Sequence, residues 1–244
     1  MQNNPYAIYE AIAAGVKSEE SLSSAHFGKW WSMVESGNMQ GIAMSTPGES
    51  IAPMYERMEG LSLKEAAKAV SSWNLSEASL ALAAANAYYN SPERLEALGA
   101  FEPYDNYCTA GLELEGRTVA LIGHLRGPAE LREKAKQVYI IERSPLPGDY
   151  PDAACDFILP KCDLVLITGS SLINKTLPHL LELCKNAYTI LIGPSVPMCP
   201  ELLELGIDRL SGMVVRDKAS MKAHAKADVE GTPYIHGTSF LLKK

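Results

Sequence analysis

The second half of the chain alternates short apolar runs with segments of helical periodicity. The runs are bounded by glycine, proline or polar residues. Short, continuous apolar strands interleaved with helices are typical of a parallel sheet covered on both faces. We predict strands at TVALIG, QVYIIE, DLVLIT, YTILIG and GMVV, and helices around ELREKAK, at LPHLLELCKN and just after Pro200. The pattern therefore indicates an α/β domain.

The first half has a different pattern and predicts a smaller α+β unit. The segment NPYAIYEAIAAGV repeats apolar residues on one helical face, with Asn4 as a candidate cap and Pro5 suited to the first helical position. The segments HFGKWWSMV and MQGIAMS flank the polar turn ESGN, which predicts a β-hairpin.

Two further helices are predicted from their first residues. Ser62 with Glu65, and Asn74 with Glu77, have the spacing of a capping box. The helix after Asn74 is apolar almost all round and rich in alanine, so we expect it to be central. Asn86 lies in its middle, and a buried asparagine either braces backbone or faces a polar cleft.

Composition allows one large domain or two smaller ones. The chain has 244 residues, of which 47% are hydrophobic and 21% charged, as in an ordinary globular protein. Residues 91–114 contain proline, glycine and polar residues and read as a connection. We therefore place a boundary near residue 112 and predict domains at 1–112 and 113–244.

The charge, the apolar runs and the cysteines limit the classes of partner that we expect and the cellular compartment in which we expect the protein. A formal charge of −7 and scattered lysines disfavour nucleic-acid binding. The apolar run at 80–89 is much shorter than the roughly 20 residues that cross a bilayer. The N-terminus lacks the pattern of a signal peptide, and five cysteines without a CxxC pair fit reduced thiols. We expect a cytoplasmic protein without a membrane partner.

The candidate site follows from the predicted sheet. Ligands of an open parallel sheet bind at the carboxyl ends of the strands, near the point where strand order reverses. We therefore expect the residues that leave the predicted strands to form one polar edge. They are Gly123, His124, Glu142, Arg143, Thr168, Gly169, Ser170, Pro194, Ser195 and Asp217.

Two of these residues, His124 and Glu142, are candidates for catalysis. His124 can act as a general base, as a metal ligand or as an ordinary hydrogen-bonded histidine beside a turn. Glu142 follows Gly123 by about 20 residues, where an acid commonly accepts hydrogen bonds from a ribose. Any α/β sheet can also end a strand in Glu followed by Arg, and the turn GHLRG lacks the third glycine of a dinucleotide fingerprint.

The segment TGSSLINKTL, residues 168–177, joins a predicted strand to a predicted helix. Its backbone N–H groups and hydroxyls can surround an anion at a helix N-terminus. The alternative is structural, with Thr176 capping the helix, Pro178 in its first turn and Asn174 closing the loop. The hydroxyls concerned are those of Thr168, Ser170, Ser171 and Thr176.

The sequence lacks the motifs that are typical of serine hydrolases and of common zinc sites. Ser195 has no GxSxG elbow around it, and there is no HExxH motif and no paired CxxC. Prolines three apart in GPSVPMCP indicate a rigid wall instead of a mobile lid. A site assembled in space from His124, Glu142, Asp217 or Cys199 remains open.

Five segments occur in order along the chain: SWNLSEASLALAAANAYYN, TVALIGHLRG, IIERSPLPGDYP, LPKCDLVLITGSSLINKTL and GPSVPMCPELLELGIDRLSG. Taken in this order, they resemble the family described as "Putative heavy-metal chelation". The resemblance implies a Rossmann-like parallel-sheet domain preceded by a smaller α+β, enolase N-terminal-like domain, with a site between them. One departure is Lys175, where the family pattern usually has glycine, so a long cation is expected beside the loop. The positions that the resemblance implicates are Asn86, His124, Glu142, Thr168, Asn174, Thr176 and Ser195.

Three functions stay open at this stage. The first is a metal-handling protein that binds a small anionic or metal-containing ligand, such as a heavy-metal ion or a metal complex, in the interdomain cleft. The second is an enzyme with a nucleotide-type cofactor, NAD or S-adenosylmethionine, and the third is a noncatalytic sensor or scaffold. Homo-oligomerisation also stays open. The expected ligand-binding residues are Asn86, Gly123, Thr168, Gly169, Ser170, Asn174, Thr176, Pro194 and Ser195.

Overall fold

The computed structural model describes residues 4–103, 108–125 and 129–244, and its smaller sheet is antiparallel. Strands β2 and β3 form the predicted hairpin around Gly37, which has a positive φ of 51°. The segment HFGKWWSMV was expected to be one strand. It instead contains the end of β1, a turn that begins at Gly28, and part of β2. The strands are β1 (Ser24–Phe27), β2 (Trp31–Ser36) and β3 (Met39–Met44), in the order β1-β2-β3.

Four helices accompany this sheet, and the two caps predicted from capping-box spacing, at Ser62 and Asn74, are confirmed. The Ser62 hydroxyl accepts from the Glu65 backbone N–H at 3.2 Å, and the Asn74 side chain accepts from the Glu77 N–H at 3.0 Å. The first helix begins three residues after Asn4, whose side chain closes a turn instead of capping it. The helices are α1 (Ala7–Gly15), α2 (Leu63–Ala66), which continues as a 3-10 helix (Ala67–Ser71), α3 (Leu75–Tyr89) and α4 (Pro92–Ala97).

Helix α3 is the central helix, as its composition predicts. Most of its residues are buried, and it packs against β2 and β3. At Gly41 of β3 the helix approaches so closely that an added Cβ atom would overlap the carbonyl oxygen of Ala83. The alanines of α3 and the glycine of β3 thus bring the helix and the sheet unusually near to each other.

The larger sheet has seven strands and is parallel except for β10, which pairs antiparallel with β9. All five predicted strands are present. Four of them have buried central residues, whereas in β5 only Ile141 is buried. Strands β6 and β10 were not predicted. The strands are β4 (Thr118–Ile122), β5 (Gln137–Glu142), β6 (Tyr150–Pro151), β7 (Leu164–Thr168), β8 (Tyr188–Ile192), β9 (Arg209–Val215) and β10 (Gly237–Lys243), in the order β10-β9-β8-β7-β4-β5-β6.

The connections of this sheet contain short helices. The predicted helix after Pro200 is present as a 3-10 helix (Pro200–Leu205). The α-helices are α5 (Ala129–Lys134), α6 (Cys155–Ile158), α7 (Ser170–Ile173), α8 (Leu177–Leu183) and α9 (Lys218–Lys226). The other 3-10 helices are Asp152–Ala154, Leu159–Lys161 and Pro233–His236. Together with the first sheet they complete a mixed α/β architecture.

Strand order reverses between β4 and β7, so their carboxyl ends mark the switch point of the sheet. Gly123 follows β4 with φ +100°, and an added Cβ atom there would lie 3.3 Å from the side chain of Thr168 at the end of β7. The two chain segments therefore lie side by side at the place where open parallel sheets bind ligands.

The first part of the chain is joined to the larger sheet at several points. Phe101 pairs with Leu241 of β10 through two backbone hydrogen bonds of 3.0 and 2.8 Å. One buried apolar cluster also contains residues of both sheets. The boundary at residue 112 stays a prediction. Among the described residues no helix is long and apolar enough to cross a membrane.

Candidate functional site

A cavity of about 1020 Å³ opens at the carboxyl edge of the parallel sheet. One wall consists of residues that leave the strands, and a second comes from α6, α7, α8 and their flanking loops. The opposite side is formed by Trp31 and Met44 of the antiparallel sheet, by Trp30 in the turn before β2, and by residues 230–234. The cavity therefore lies between the two sheets, where the strand-end rule and the family resemblance both place the site.

Eight of the eleven predicted site residues line this cavity. These eight residues lie around one cavity, and their roles stay predictions. Arg143, a further strand-end residue, lines it as well. The eight are Gly123, His124, Glu142, Thr168, Ser170, Asn174, Thr176 and Pro194.

The other three predicted residues, Asn86, Gly169 and Ser195, do not line the cavity. The Asn86 amide donates to the carbonyls of Ile42 and Pro194 at 2.7 and 3.3 Å, which is the bracing alternative. The buried Ser195 hydroxyl accepts from the Met44 backbone N–H at 2.8 Å. These two side chains hold the antiparallel sheet against the loop after β8.

Gly169 permits close packing behind the cavity wall. Its φ is −60°, so its conformation does not require glycine. An added Cβ atom would lie 2.8 Å from the Val196 side chain and 3.1 Å from the backbone of Ser195. The absence of a side chain at this position lets β7 and the loop after β8 approach each other.

His124 is held in place by Asp149. Its Nε2 atom lies 2.6 Å from Oδ2 of Asp149, and its Nδ1 atom lies 3.9 Å from Oε2 of Glu142. The hydrogen bond with His124 lowers the pKa of Asp149 below its ordinary value, and a hydrogen bond from the Leu146 backbone N–H lowers it further. An ionised carboxylate can only accept, so Nε2 of His124 donates. In the neutral imidazole the Nδ1 lone pair then lies on the side of Glu142.

Glu142 already receives several backbone hydrogen bonds. Its Oε2 atom accepts from the His124 N–H at 3.2 Å, and its Oε1 atom accepts from the Arg143 N–H at 2.6 Å. These bonds connect the turns after β4 and β5 and fix the carboxylate on the cavity wall.

The segment TGSSLINKTL differs from the expected loop. Residues 170–173 form the additional helix α7, and the Thr168 and Ser170 hydroxyls are hydrogen-bonded to each other at 3.1 Å. Thr176 precedes α8 but makes no side-chain cap, so this part of the prediction is wrong. Its hydroxyl donates instead to the Asn174 side chain at 2.7 Å, which confirms that Asn174 closes the segment.

Lys175 does not extend into the cavity between its two lining neighbours. Its φ is +66°, and its Nζ atom donates to the carbonyls of Val70, Leu172 and Ile173 at 3.0, 3.3 and 2.9 Å. The long cation is therefore beside the loop as expected, but it points to the back of the cavity wall.

Sequence reasoning missed several residues of the cavity. Asp149 lies in the segment SPLPGDYP, and its only sequence signal is a polar turn after β5. His179 lies 3.3 Å from Asp156, and both line the cavity. Trp30 lies in the turn before β2 of the other sheet, so the strand-end rule of the parallel sheet does not select it. These residues are brought to the site by tertiary packing alone.

The charged side chains of the described lining are mainly acidic. Four carboxylates, those of Glu142, Asp152, Asp156 and Glu230, face one guanidinium, that of Arg143. Histidines contribute no formal charge when neutral. Such a lining favours a cationic or metal-bearing ligand over a free anion.

The cysteines do not provide a thiolate site. All five are buried, and burial raises the pKa of Cys155, which lines the cavity, to about 11. Cys199 is also buried with a pKa raised to about 12, and Asp217 caps α9 by accepting from the Ser220 N–H. Among the described residues no three histidine, cysteine or acidic side chains are placed to hold a metal ion. In the described part of the chain, His124, Glu142, Asp217 and Cys199 therefore do not form a group of three that could hold a metal ion.

Comparison with known proteins gives the chain a family. Two family models, each described as "Putative heavy-metal chelation", match residues 109–232 and 9–89. An uncharacterised protein of Methanocaldococcus jannaschii is 32% identical over 108 residues, which are 41% of this chain and 42% of that protein. The chain thus aligns with less than half of that relative's length.

Two crystal structures of proteins of unknown function have the same fold. The protein from Desulfitobacterium hafniense is 36% identical with a TM-score of 0.87, over 100% of this chain and 99% of the other. The protein from Pyrococcus horikoshii is 23% identical with a TM-score of 0.78, over 100% of both chains. Both are described as members of the DUF364 family, one of the two matched here. The chain therefore belongs to the "Putative heavy-metal chelation" family.

Proposed function

We propose that this protein handles a divalent metal ion that it binds as a small organic complex in the cavity between the two sheets. The observation that carries the proposal is the arrangement of His124, Asp149 and Glu142. Asp149 holds the imidazole, and Nδ1 of His124 lies 3.9 Å from a Glu142 carboxylate oxygen. A histidine oriented by a carboxylate is the usual form of a metal-binding imidazole.

The number of protein donors favours a complex over a bare ion. His124 and Glu142 supply two donor atoms on the cavity wall, and among the described residues no three such side chains are placed to hold a metal ion. Metal sites made by protein alone commonly use three or four donors. Two donors leave coordination positions for an organic chelator, so the metal is cargo in this proposal.

The donor types favour a metal of intermediate softness. Imidazole and carboxylate suit Zn²⁺, Ni²⁺, Cu²⁺ and iron, whereas the softest ions select thiolates. The Cys155 thiol on the cavity wall has a pKa raised to about 11, so it stays protonated at neutral pH. The acidic lining adds general attraction for a cationic complex.

The size and walls of the cavity suit an organic ligand. Its volume of about 1020 Å³ is at the upper end of ligand pockets, which span roughly 300–1,000 Å³. Trp30, Met44 and Tyr234 add apolar and aromatic surface opposite the strand ends. A ligand with a metal-bearing end and an apolar body can therefore contact both sides.

The test uses Cu²⁺–iminodiacetate as a probe, because this complex keeps open coordination positions. Isothermal titration should show binding to the wild-type protein and its loss in His124→Ala. A matched control is His26→Ala, since His26 lies on β1 away from the cavity lining, and this variant should keep the binding. Metal-free iminodiacetate should not bind.

Equal binding of the probe by wild-type protein and His124→Ala refutes the proposed role of this histidine. Native mass spectrometry with elemental analysis of protein purified without chelators should also detect a metal together with an organic ligand. A thermal shift with NAD or S-adenosylmethionine, and none with the copper probe, supports the nucleotide hypothesis instead.

A further inference from the structure

Lys175 is half-buried, and its ammonium group contacts several backbone carbonyls. The Nζ atom donates to three backbone carbonyls, of Val70, Leu172 and Ile173, at distances between 2.9 and 3.3 Å. Leu172 and Ile173 belong to α7, and Val70 belongs to the 3-10 helix that follows α2. The ammonium therefore connects two elements that are distant in sequence.

The fourth side of this group is aromatic. Nζ lies 5.1 Å from the centroid of the Tyr9 ring, on helix α1. No carboxylate among the described residues forms an ion pair with Lys175. Carbonyl oxygens and an aromatic face are the groups that coordinate monovalent cations when no anion is present.

The backbone conformation at Lys175 is one that few residue types adopt readily. A φ of +66° is unfavourable for residues with a side chain and is most easily adopted by glycine. Lysine keeps this conformation while its ammonium bonds three carbonyls. Burial lowers the pKa of Lys175 to about 8, so the group still carries its charge at neutral pH.

The three carbonyls of Val70, Leu172 and Ile173 and the Tyr9 ring, which together form a cage around the ammonium group, lie directly behind the cavity wall. Asn174 and Thr176, the two neighbours of Lys175 in sequence, line the cavity, as does Ser170. Lys175 extends from the same segment in the other direction, toward α1 and the 3-10 helix. Whatever fixes its ammonium therefore also fixes this part of the wall.

We propose that the carbonyls of Val70, Leu172 and Ile173 and the ring of Tyr9 form a monovalent-cation site. The chain's own Lys175 ammonium fills this site and thereby positions the wall segment 170–176. This proposal does not depend on which ligand the cavity binds. We expect that a free monovalent cation can occupy the site once the lysine side chain is removed.

The test is chemical rescue of Lys175→Gly. Glycine tolerates the positive φ, so this variant empties the cage without straining the backbone. Its thermal midpoint should be higher in ammonium chloride than in tetramethylammonium chloride at equal ionic strength, because the larger cation does not fit between the carbonyls. A site filled at about ten times its dissociation constant gives a rise of about 3 to 6 °C for a protein of this size.

Two controls separate the cage from general salt effects. The wild-type protein should show no difference between the two salts, because Lys175 already fills the site. Asp228→Gly is the matched variant, since Asp228 is the other described non-glycine residue with positive φ and has no such cage. It should also show no preference for ammonium.

Hydrogen exchange reports on the wall itself. In Lys175→Gly the amides of residues 170–176 should exchange faster in tetramethylammonium than in ammonium, and the exposed hairpin turn at Asn38 should not respond. If ammonium changes neither the midpoint nor this exchange, the cage is not a cation site and the proposal is wrong.

A measurement on the wild-type protein keeps the proposal testable if Lys175→Gly does not fold. Proton–nitrogen spectra of ¹⁵N-lysine protein should show one ammonium signal that persists where exposed lysines exchange with water. Lys175→Arg identifies it by its disappearance. If no protected ammonium signal belongs to Lys175, the cage does not hold a cation.

Discussion

Asn90 is the residue through which the connection between the two sheets can be tested most directly. It follows the last residue of α3 and is only 7% exposed. Its amide donates to the carbonyls of Val196 and Met213 at 2.9 and 3.1 Å, and its oxygen accepts from the Met198 N–H at 2.9 Å. One side chain thus satisfies three backbone groups that belong to β9 and to the loop before it.

Removal of this side chain should be costly. Asn90→Ala leaves two carbonyls and one N–H group buried without their partner, and each such group costs about 1 to 3 kcal/mol. Partial hydration lowers the sum, so we expect a loss of about 3 to 5 kcal/mol from a total stability of roughly 5 to 15 kcal/mol. Asn90→Asp should cost at least as much at neutral pH, because a carboxylate cannot donate to either carbonyl.

The three tryptophans allow the effect to be located. They are at positions 30, 31 and 73, all before Asn90, so fluorescence reports on the first part of the chain while circular dichroism reports on the whole. In urea unfolding, Asn90→Ala should lower the midpoints of the fluorescence and circular dichroism transitions and should separate the two midpoints. The exposed Asn38→Ala is the matched control and should change stability by less than about 0.5 kcal/mol. A loss below about 1 kcal/mol for Asn90→Ala, with coincident transitions, refutes the reasoning.

Three other predictions follow from single positions. Gly41→Ala should prevent normal packing of α3, because its Cβ atom would overlap the Ala83 carbonyl, and circular dichroism should show a strongly lowered thermal midpoint. The hydrogen bond with His124 lowers the pKa of Asp149, so the ionised carboxylate stabilises the fold above its unfolded pKa of about 3.8. This stabilisation is lost as the pH falls through the lower pKa of the folded state. The free energy of unfolding, measured in urea, should therefore decrease less steeply below about pH 4 in Asp149→Asn than in the wild-type protein. A thiol reagent at neutral pH should label the cysteines only after unfolding, because burial raises the pKa of Cys155, Cys162, Cys184 and Cys199 to about 11, 11, 12 and 12.

The parallel sheet could be predicted from sequence because both of its faces are covered. Runs such as VALI in β4 and LVLI in β7 are apolar without interruption, and no alternating pattern competes with them. Strand β10 was missed because GTSFLLK begins with small polar residues and pairs at an edge of the sheet. Helix α7 was missed because four helical residues give no readable periodicity.

The sequence predicts the candidate site only as far as the site depends on the course of the backbone. The strand-end rule selects residues by their place along the chain, and it correctly brings Gly123, His124 and Glu142 to one cavity. It does not give the direction of a side chain. Ser195 and Lys175 therefore point to backbone carbonyl or N–H groups behind the wall, although their neighbours Pro194 and Thr176 line the cavity.

The walls of the cavity connect the function proposed above with the stability of the fold. Trp31 and Met44 come from the antiparallel sheet, whereas His124 comes from the parallel one, so a ligand that spans the cavity stabilises the contact between them. This is the contact that Asn90 braces. The copper probe should therefore bring the fluorescence and circular dichroism transitions of Asn90→Ala closer together. It should not do so when His124→Ala is added, because a ligand stabilises only the state to which it binds. If the probe acts equally on both variants, it binds elsewhere on the protein.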